Sequence, residues 1–266
     1  NRENYFKRNF IRNNVIAPWL ERNDDLIESI TATARNFKDW QDGMLYFAND
    51  FIENNLIKNK NNHLLIDKNS FGKLPTFVRV CVLQVITNSI GSLRKPQIEN
   101  IKDFLNKEVI GNKCFAINGF VILNDRDSVI INRKKLKKSV PLELKIGNNY
   151  DFDNYVYKVR KYSKNVRFSR SSDDELIDLA AIKNKKLILR YWCSGDRFKP
   201  LGMSGMQKIS DYLINNKINL FQKDEQTVLT ADNQIIWVCG QRIDDSVKVN
   251  NSTKNILRIR RKLKRV

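Results

Sequence analysis

Apolar residues recur at steps of three and four along Leu26, Ile30, Ala34, Phe37, Met44, Phe47 and Phe51, with Gln41 in the same stripe. That period predicts one long amphipathic helix. Asn23 and Asp24 stand where a cap belongs, with acidic residues in the first turn. Upstream, Phe6, Phe10, Val15 and Ile16 begin another apolar face, which Pro18 breaks or restarts. Residues 1–60 therefore read as a helical segment that closes in the polar interval KNKNNH, a linker by composition.

The segment PTFVRVCVLQVITNSI is apolar almost all round and predicts a helix in the middle of a small core. A second helix follows in GSLRKPQIENIKDFLNKEV, with Pro96 near its start and Ile98, Ile101 and Leu105 on one face. The period then falls to two in KCFAINGFVILNDRDSVIINR, where Asn118–Gly119 between β-rich runs is a hairpin signal. Residues 61–135 are thus expected as one α+β module. In residues 136–185, a β-rich connection, PLELKIG and NYVYKVRKY suggest strands and SSDDELIDLAAI a short helix or turn.

From residue 186 the pattern sharpens into a second α+β module ending at 266. It begins with a strand in LILRYW, a glycine-rich turn, and a helix with Ile209, Tyr212 and Leu213 inward. A hairpin in TVLTADNQIIWVCGQRID and a basic final strand in ILRIRRKLKRV complete it. The fold class is α+β: an N-terminal helical segment followed by two small α+β modules. No internal repeat is visible.

Composition adds one strong statement. The 266 residues hold 48 Lys plus Arg against 29 Asp plus Glu, a net charge of +19. Such an excess costs self-repulsion and is ordinarily kept for a polyanionic partner, nucleic acid above all. The bland alternative is an AT-rich genome, which inflates Lys and Asn together. No run of eighteen apolar residues occurs, so no membrane span is expected, and no signal-peptide core stands near Asn1. A chain that opens with Asn1 and reads as helix by Tyr5 looks like an excerpt of a longer protein or a processed one. Cys81, Cys114, Cys193 and Cys239 are far apart and there is one histidine, so no metal site is expected. The thiols read as reduced core residues of an intracellular protein.

Candidate chemistry sits in three places. Arg8 and Arg12, four apart on one helical face, can clamp a phosphate or form a solvated basic face. In RYWCSGDRFKPLGMSGMQK, Arg190, Arg197, Lys199 and Lys208 surround Gly195, Gly202 and Gly205. A glycine-rich turn before a helix start is an anion site in principle, but no G-K-[ST] follows, so it is no nucleotide P-loop. Tyr191, Trp192 and Phe198 interleave aromatics with these bases; Trp192 reads better as core. In WVCGQRIDDSVKV, Asp244 and Asp245 read as a turn whose carboxylates bond backbone, and His63 earns no role. The final RIRRKLKRV adds phosphate affinity as a strand or an arm.

These residues carry a family resemblance. LILRYWCSGDRFKPLGMSGMQKISDYLINNKI followed by VLTADNQIIWVCGQRIDDSVKV resembles the C-terminal domain of tRNA(Ile)-lysidine synthases. YFKRNFIRNNVIAPWL is similar to the R-N-x-I-R-H segment that ends that family's ATP-handling domain. Asn13 replaces the family's His, and the spacing to Pro18 is one residue longer. The family's S-G-G-x-D-S pyrophosphate loop is absent from these residues.

The resemblance implies the tRNA-handling part of an ATP-dependent ligase. In that family ATP activates the C2 carbonyl of the wobble cytidine in a CAU anticodon, and free lysine displaces AMP. Codon specificity changes from AUG to AUA. It implies ATP and Mg bound by a missing N-terminal domain, with no cofactor in this chain, which alone would be inactive. It implies isoleucine tRNA as partner, a cytoplasmic or organellar-stroma location, and leaves a homodimer open. Arg8 and Arg12 would support catalysis. Arg190, Arg197, Lys199, Lys208, Arg242, Lys248, Arg258 and Arg260 would bind tRNA. The competing readings are a stand-alone, non-catalytic RNA-binding relative, and an interaction protein docking through residues 1–57.

Overall fold

The structure, a computed structural model, describes residues 7–58, 63–107, 109–111, 113–115, 119–133, 139–163, 166–167 and 169–264. The expectations for Tyr5, Phe6 and Asn118 lie outside the described residues, as does most of KNKNNH; of Cys114 only the backbone is described.

The chain opens with α1 (Lys7–Ile11), a π-helical turn (Arg12–Ile16) and α2 (Ala17–Leu20). The π turn takes one extra residue: the Ala17 N–H reaches back five residues to the Arg12 carbonyl. The lengthened spacing before Pro18 is thus absorbed inside the helix rather than in a loop. Then comes α3 (Leu26–Asn55), capped from Asp25 rather than Asn23 or Asp24, and without a side-chain hydrogen bond.

Strands β1 (Leu56–Lys58) and β2 (Leu64–Asp67) lead to α4 (Lys68–Gly72), α5 (Thr76–Ile86) and α6 (Lys95–Asn106). Asp67 caps α4 through the Ser70 N–H at 2.7 Å, and Pro96 stands in the first turn of α6. In α3 only Ala48 and Phe51 are buried; Ile30, Phe37 and Phe47 on its predicted apolar stripe are exposed. The buried end meets α4 and α5: Phe51 packs on Phe71 at 6.2 Å, and the Cys81 thiol points at the Met44 carbonyl.

The hairpin region forms β3 (Lys113–Phe115), β4 (Phe120–Asn124) and β5 (Ser128–Arg133), in a sheet of order β1-β2-β5-β4-β3. Gly119 enters β4 at φ +75°. These strands do not make one module with α5 and α6, as the sequence led us to expect. By contact the chain divides into two units: α1 to α6 in one, and β3 to β5 with everything that follows in the other. The reason is packing: Val121, Leu123 and Ile130 close on Phe221, and Lys113 pairs with Asp224 at 2.9 Å. His63, read as linker, is buried edge-on against Phe221 with Glu225 3.7 Å away.

The second unit continues with β6 (Leu142–Leu144), β7 (Asn149–Phe152), β8 (Tyr155–Ser163), β9 (Asp174–Asp178), β10 (Leu187–Tyr191), β11 (Arg197–Phe198) and β12 (Gln207–Lys208). It ends with α7 (Ile209–Asn215), α8 (Leu220–Asp224), β13 (Thr227–Ala231), β14 (Gln234–Val238), β15 (Arg242–Ile243) and β16 (Asn255–Leu263). Residues 136–185 are no connection: β6 pairs with β10, and β8 and β9 flank β16. One sheet runs β15-β14-β13-β10-β6 and a second β7-β8-β16-β9. They face each other across a core of Leu189, Leu229 and Trp237 from one, and Tyr157, Val159, Ile177, Leu257 and Ile259 from the other. Behind the first sheet, Phe198, Ile209 and Leu213 pack on Val228, Ile235 and Val238. The α+β class holds, as a helical unit and a sheet-rich one.

Candidate nucleic-acid interface

The glycine-rich turn is built around Asp196. Its carboxylate accepts from both terminal nitrogens of Arg190 at 2.8 and 3.0 Å and from the Cys193 N–H at 2.7 Å. Burial pushes that carboxyl upward, but the Arg190 hydrogen bonds outweigh it and hold the group low. Gly195 turns the chain at φ +92°, a conformation that side chains resist. The strand then leaves as β11, pairs with β12, and only afterwards starts α7.

The turn's backbone does not make the anion cradle that its glycines suggest. The Gly202 N–H goes to Asp245, the Lys199 N–H to Asp244, and the Met203 N–H to the Pro200 carbonyl. Asp244 also accepts from Ser246, so both acids brace a turn, as read from the sequence. Trp192 is half-buried on the core and donates to the Lys223 carbonyl at 2.6 Å. Cys193 is exposed, unlike Cys81 and Cys239; burial raises both buried thiols, Cys239 to about 12.

What the turn presents outward is charge. In the β11–β12 ribbon Arg197 stands directly opposite Lys208, both exposed. Like charges placed across a ladder destabilise it unless something anionic lies over them. Lys199 and Lys248 share Asp245, at 3.6 and 3.1 Å. Arg242 is exposed and donates to the Leu201 carbonyl at 3.1 Å.

A second basic surface lies on the outer face of the four-stranded sheet. Antiparallel pairing sets Arg258 opposite Arg160 and Arg260 opposite Lys158. Alternation puts Leu257 and Ile259 inside and the cations outside, with Tyr162 and Lys262 in the same outward set. Asp174 answers two of these charges: Arg258 donates to it at 2.8 and 2.7 Å, and Arg260 at 2.8 Å. Arg160 donates to the Asn148 carbonyl and to Asn149. An open groove of about 510 Å³ runs beside this stripe, past Tyr155, Ser171, Arg260 and Lys262.

Arg261 points the other way, into the protein. Its guanidinium pairs with Asp173 and lies 4.5 Å from the Tyr155 ring centroid. It also fills the space where a side chain on Gly240 would begin, and Gly240 has φ +73°.

Of the residues named from the sequence, the structure joins Arg197 with Lys208, Lys199 with Lys248, and Arg258 with Arg260. Arg190 stands apart as the staple of the turn. Arg8 on α1 and Arg12 at the π turn are exposed, in the helical unit. The sequence reading missed Lys158, Arg160 and Tyr162. NYVYKVRKY alternates apolar and basic residues, a signal for a strand with one basic face, but only the pairing to β16 shows which cations it joins. Among the described residues no three His, Cys, Asp or Glu side chains form a metal-binding group, and no helix is long and apolar enough to cross a membrane.

Comparison with known proteins agrees with the resemblance. Residues 187–261 match the family model described as the TilS substrate C-terminal domain. A tRNA(Ile)-lysidine synthase of Clostridium perfringens is 25% identical over 97% of this chain and 58% of its own length. That of Parabacteroides distasonis is 28% identical over 95% of this chain and 56% of its own length. A solved structure, the crystal structure of a TILS C-terminal domain, is 21% identical with a TM-score of 0.43, covering 48% of this chain and 98% of that one. The chain thus carries a TilS substrate C-terminal domain, and its homology to tRNA(Ile)-lysidine synthases runs almost end to end. It spans less than two thirds of the length of these relatives.

Proposed function

We propose that this chain is the RNA-gripping C-terminal portion of a tRNA(Ile)-lysidine synthase. The whole enzyme would use ATP to activate C2 of the wobble cytidine in the CAU anticodon of isoleucine tRNA. Free lysine would then take the place of the activated oxygen, which leaves with AMP, and the codon read would change from AUG to AUA. ATP and Mg²⁺ would bind a portion carrying the S-G-G-x-D-S loop, a motif these residues do not contain. Arg8 and Arg12, exposed at the start of the helical unit, would support that chemistry from beside the ATP-handling domain.

The task left to this chain is discrimination, because a methionine tRNA bears the same anticodon. Contacts far from the reacting base must separate the two. A-form stems are recognised by shape, 2′-OH groups and phosphates, which calls for an extended basic surface. The observation that carries this reading is the set of cations held opposite one another: Arg197 with Lys208, Arg258 with Arg160, and Arg260 with Lys158. Lys199, Arg242 and Lys248 complete the grip. Arg190, with both terminal nitrogens on Asp196, holds its shape.

The experiment is a salt-series titration of the chain against isoleucine tRNA with a CAU anticodon and against methionine tRNA. Arg197→Glu and Lys208→Glu should each weaken binding and reduce the salt slope by about one. Tighter binding of the isoleucine species assigns recognition to this chain. Unchanged slopes in both variants would remove the ribbon from the interface.

A further inference from the structure

β9 is the edge of the four-stranded sheet, and Lys248 bridges to Ile177 beyond it. Between this edge and the turn after β14 opens a cleft of about 350 Å³, walled by Arg170, Ser171, Glu175, Gln241, Arg242 and Lys248. Ser169, Ser171 and Asp174 line both this cleft and the groove beside the basic stripe. The volume falls at the small end of ligand sites, with convergent polar groups of both signs. Its acids differ. Asp174 is tied to Arg258 and Arg260, whereas Glu175 has no ion pair among the described residues.

Resting on the RNA-binding reading above, we propose that this cleft receives a single unstacked ribonucleotide of a bound RNA strand, its phosphate on Arg170, Arg242 and Lys248 and its base edge on Glu175. A nucleotide taken out of the stack is read on its Watson–Crick edge, and a carboxyl group is suited to that edge in either protonation state. As a carboxylate it accepts two hydrogen bonds, matching N1–H and N2–H of guanine. As an acid it donates one and accepts one, a pattern that the Watson–Crick edge of any base can meet.

Burial pushes Glu175 up to about 7; Arg242 opposes the rise and Asp174 adds to it. Arg170 and Lys248 are the other charges on the cleft wall. Tyr212 of α7, coupled to Glu175 and Arg242, is raised by burial and stays neutral near pH 7. The cleft therefore accepts any base in mild acid and selects guanine in mild alkali.

The test uses the whole chain and short RNA duplexes, blunt or with a one-nucleotide 3′ overhang of each base, titrated at pH 6 and pH 8 at fixed ionic strength. The preferred overhang should bind about fivefold or more tighter than the blunt duplex. The four overhangs should bind alike at pH 6, and G should bind tightest at pH 8. Glu175→Gln, whose amide also donates and accepts, should show no G preference at either pH. Equal affinity for blunt and overhung duplexes overturns the cleft while the RNA grip stands. Free GMP binding as tightly as the overhang overturns the need for a strand. Failure of every duplex to bind at low salt overturns the grip reading itself.

Discussion

Gly240 and Arg261 occupy one space. With no Cβ, Gly240 adopts φ +73° and leaves room for a guanidinium that pairs with Asp173 and lies over Tyr155. A methyl there meets both the strained backbone angle and the buried cation. Gly240→Ala should lower stability by about 2–3 kcal/mol, seen as a lower urea midpoint with an unchanged slope. The sequence WVCGQRID marks a glycine after a strand, and RIRRKLKRV a basic run, but nothing links them. One arginine of that run is inside, and its neighbours on either side face out. Alternation could have suggested this once the run was read as a strand. The partner glycine could not be read, because it approaches from another sheet. Glu175 was invisible for the same reason: its value as a site depends on Arg242, delivered by a turn far along the chain.

At the scale of elements, β16 holds the second unit together. It is bonded on both sides, to β8 along Asn255–Leu263 and to β9 along Ile256–Arg260. Proline at its centre removes a ladder donor and clashes with an extended partner. Leu257→Pro should abolish cooperative unfolding by circular dichroism, whereas Leu263→Pro, beyond the β9 register and exposed, should lower the midpoint only slightly. Local elements were legible: β10, the turn, α7 and the β13–β14 hairpin follow from period and glycine placement, and Pro96 marks the start of α6. The grouping was not. Residues 142–163 resembled a connection because their partners, β10 and β16, lie well downstream. Helices α5 and α6 were joined to the adjacent β3–β5 strands, yet apolar contacts tie α5 to the distant α3 and the strands to α8.

For the molecule as a whole, a net charge of +19 acts in two directions. Self-repulsion weakens the folded state, and the same field draws a polyanion. Raising salt shortens the reach of both. The thermal midpoint of the free chain should therefore rise between low and moderate salt while RNA affinity falls steeply over the same range, measured by calorimetry and by titration. A midpoint that falls with salt would mean that the ion pairs around Asp174, Asp196 and Asp245 outweigh the repulsion. The alternation that buries Tyr157, Val159, Leu257 and Ile259 also lays Lys158, Arg160, Arg258 and Arg260 in one outward sheet face, so the fold and the charge pattern are one arrangement.

The central position of β16 also matters during synthesis. A chain interrupted before Asn255 holds β8 and β9 with no strand between them, two open edges that pair readily with other chains. On the ribosome, the basic outer face cannot be assembled until this stretch has cleared the exit tunnel. Truncated products would then carry the lysines and arginines without the surface that arranges them.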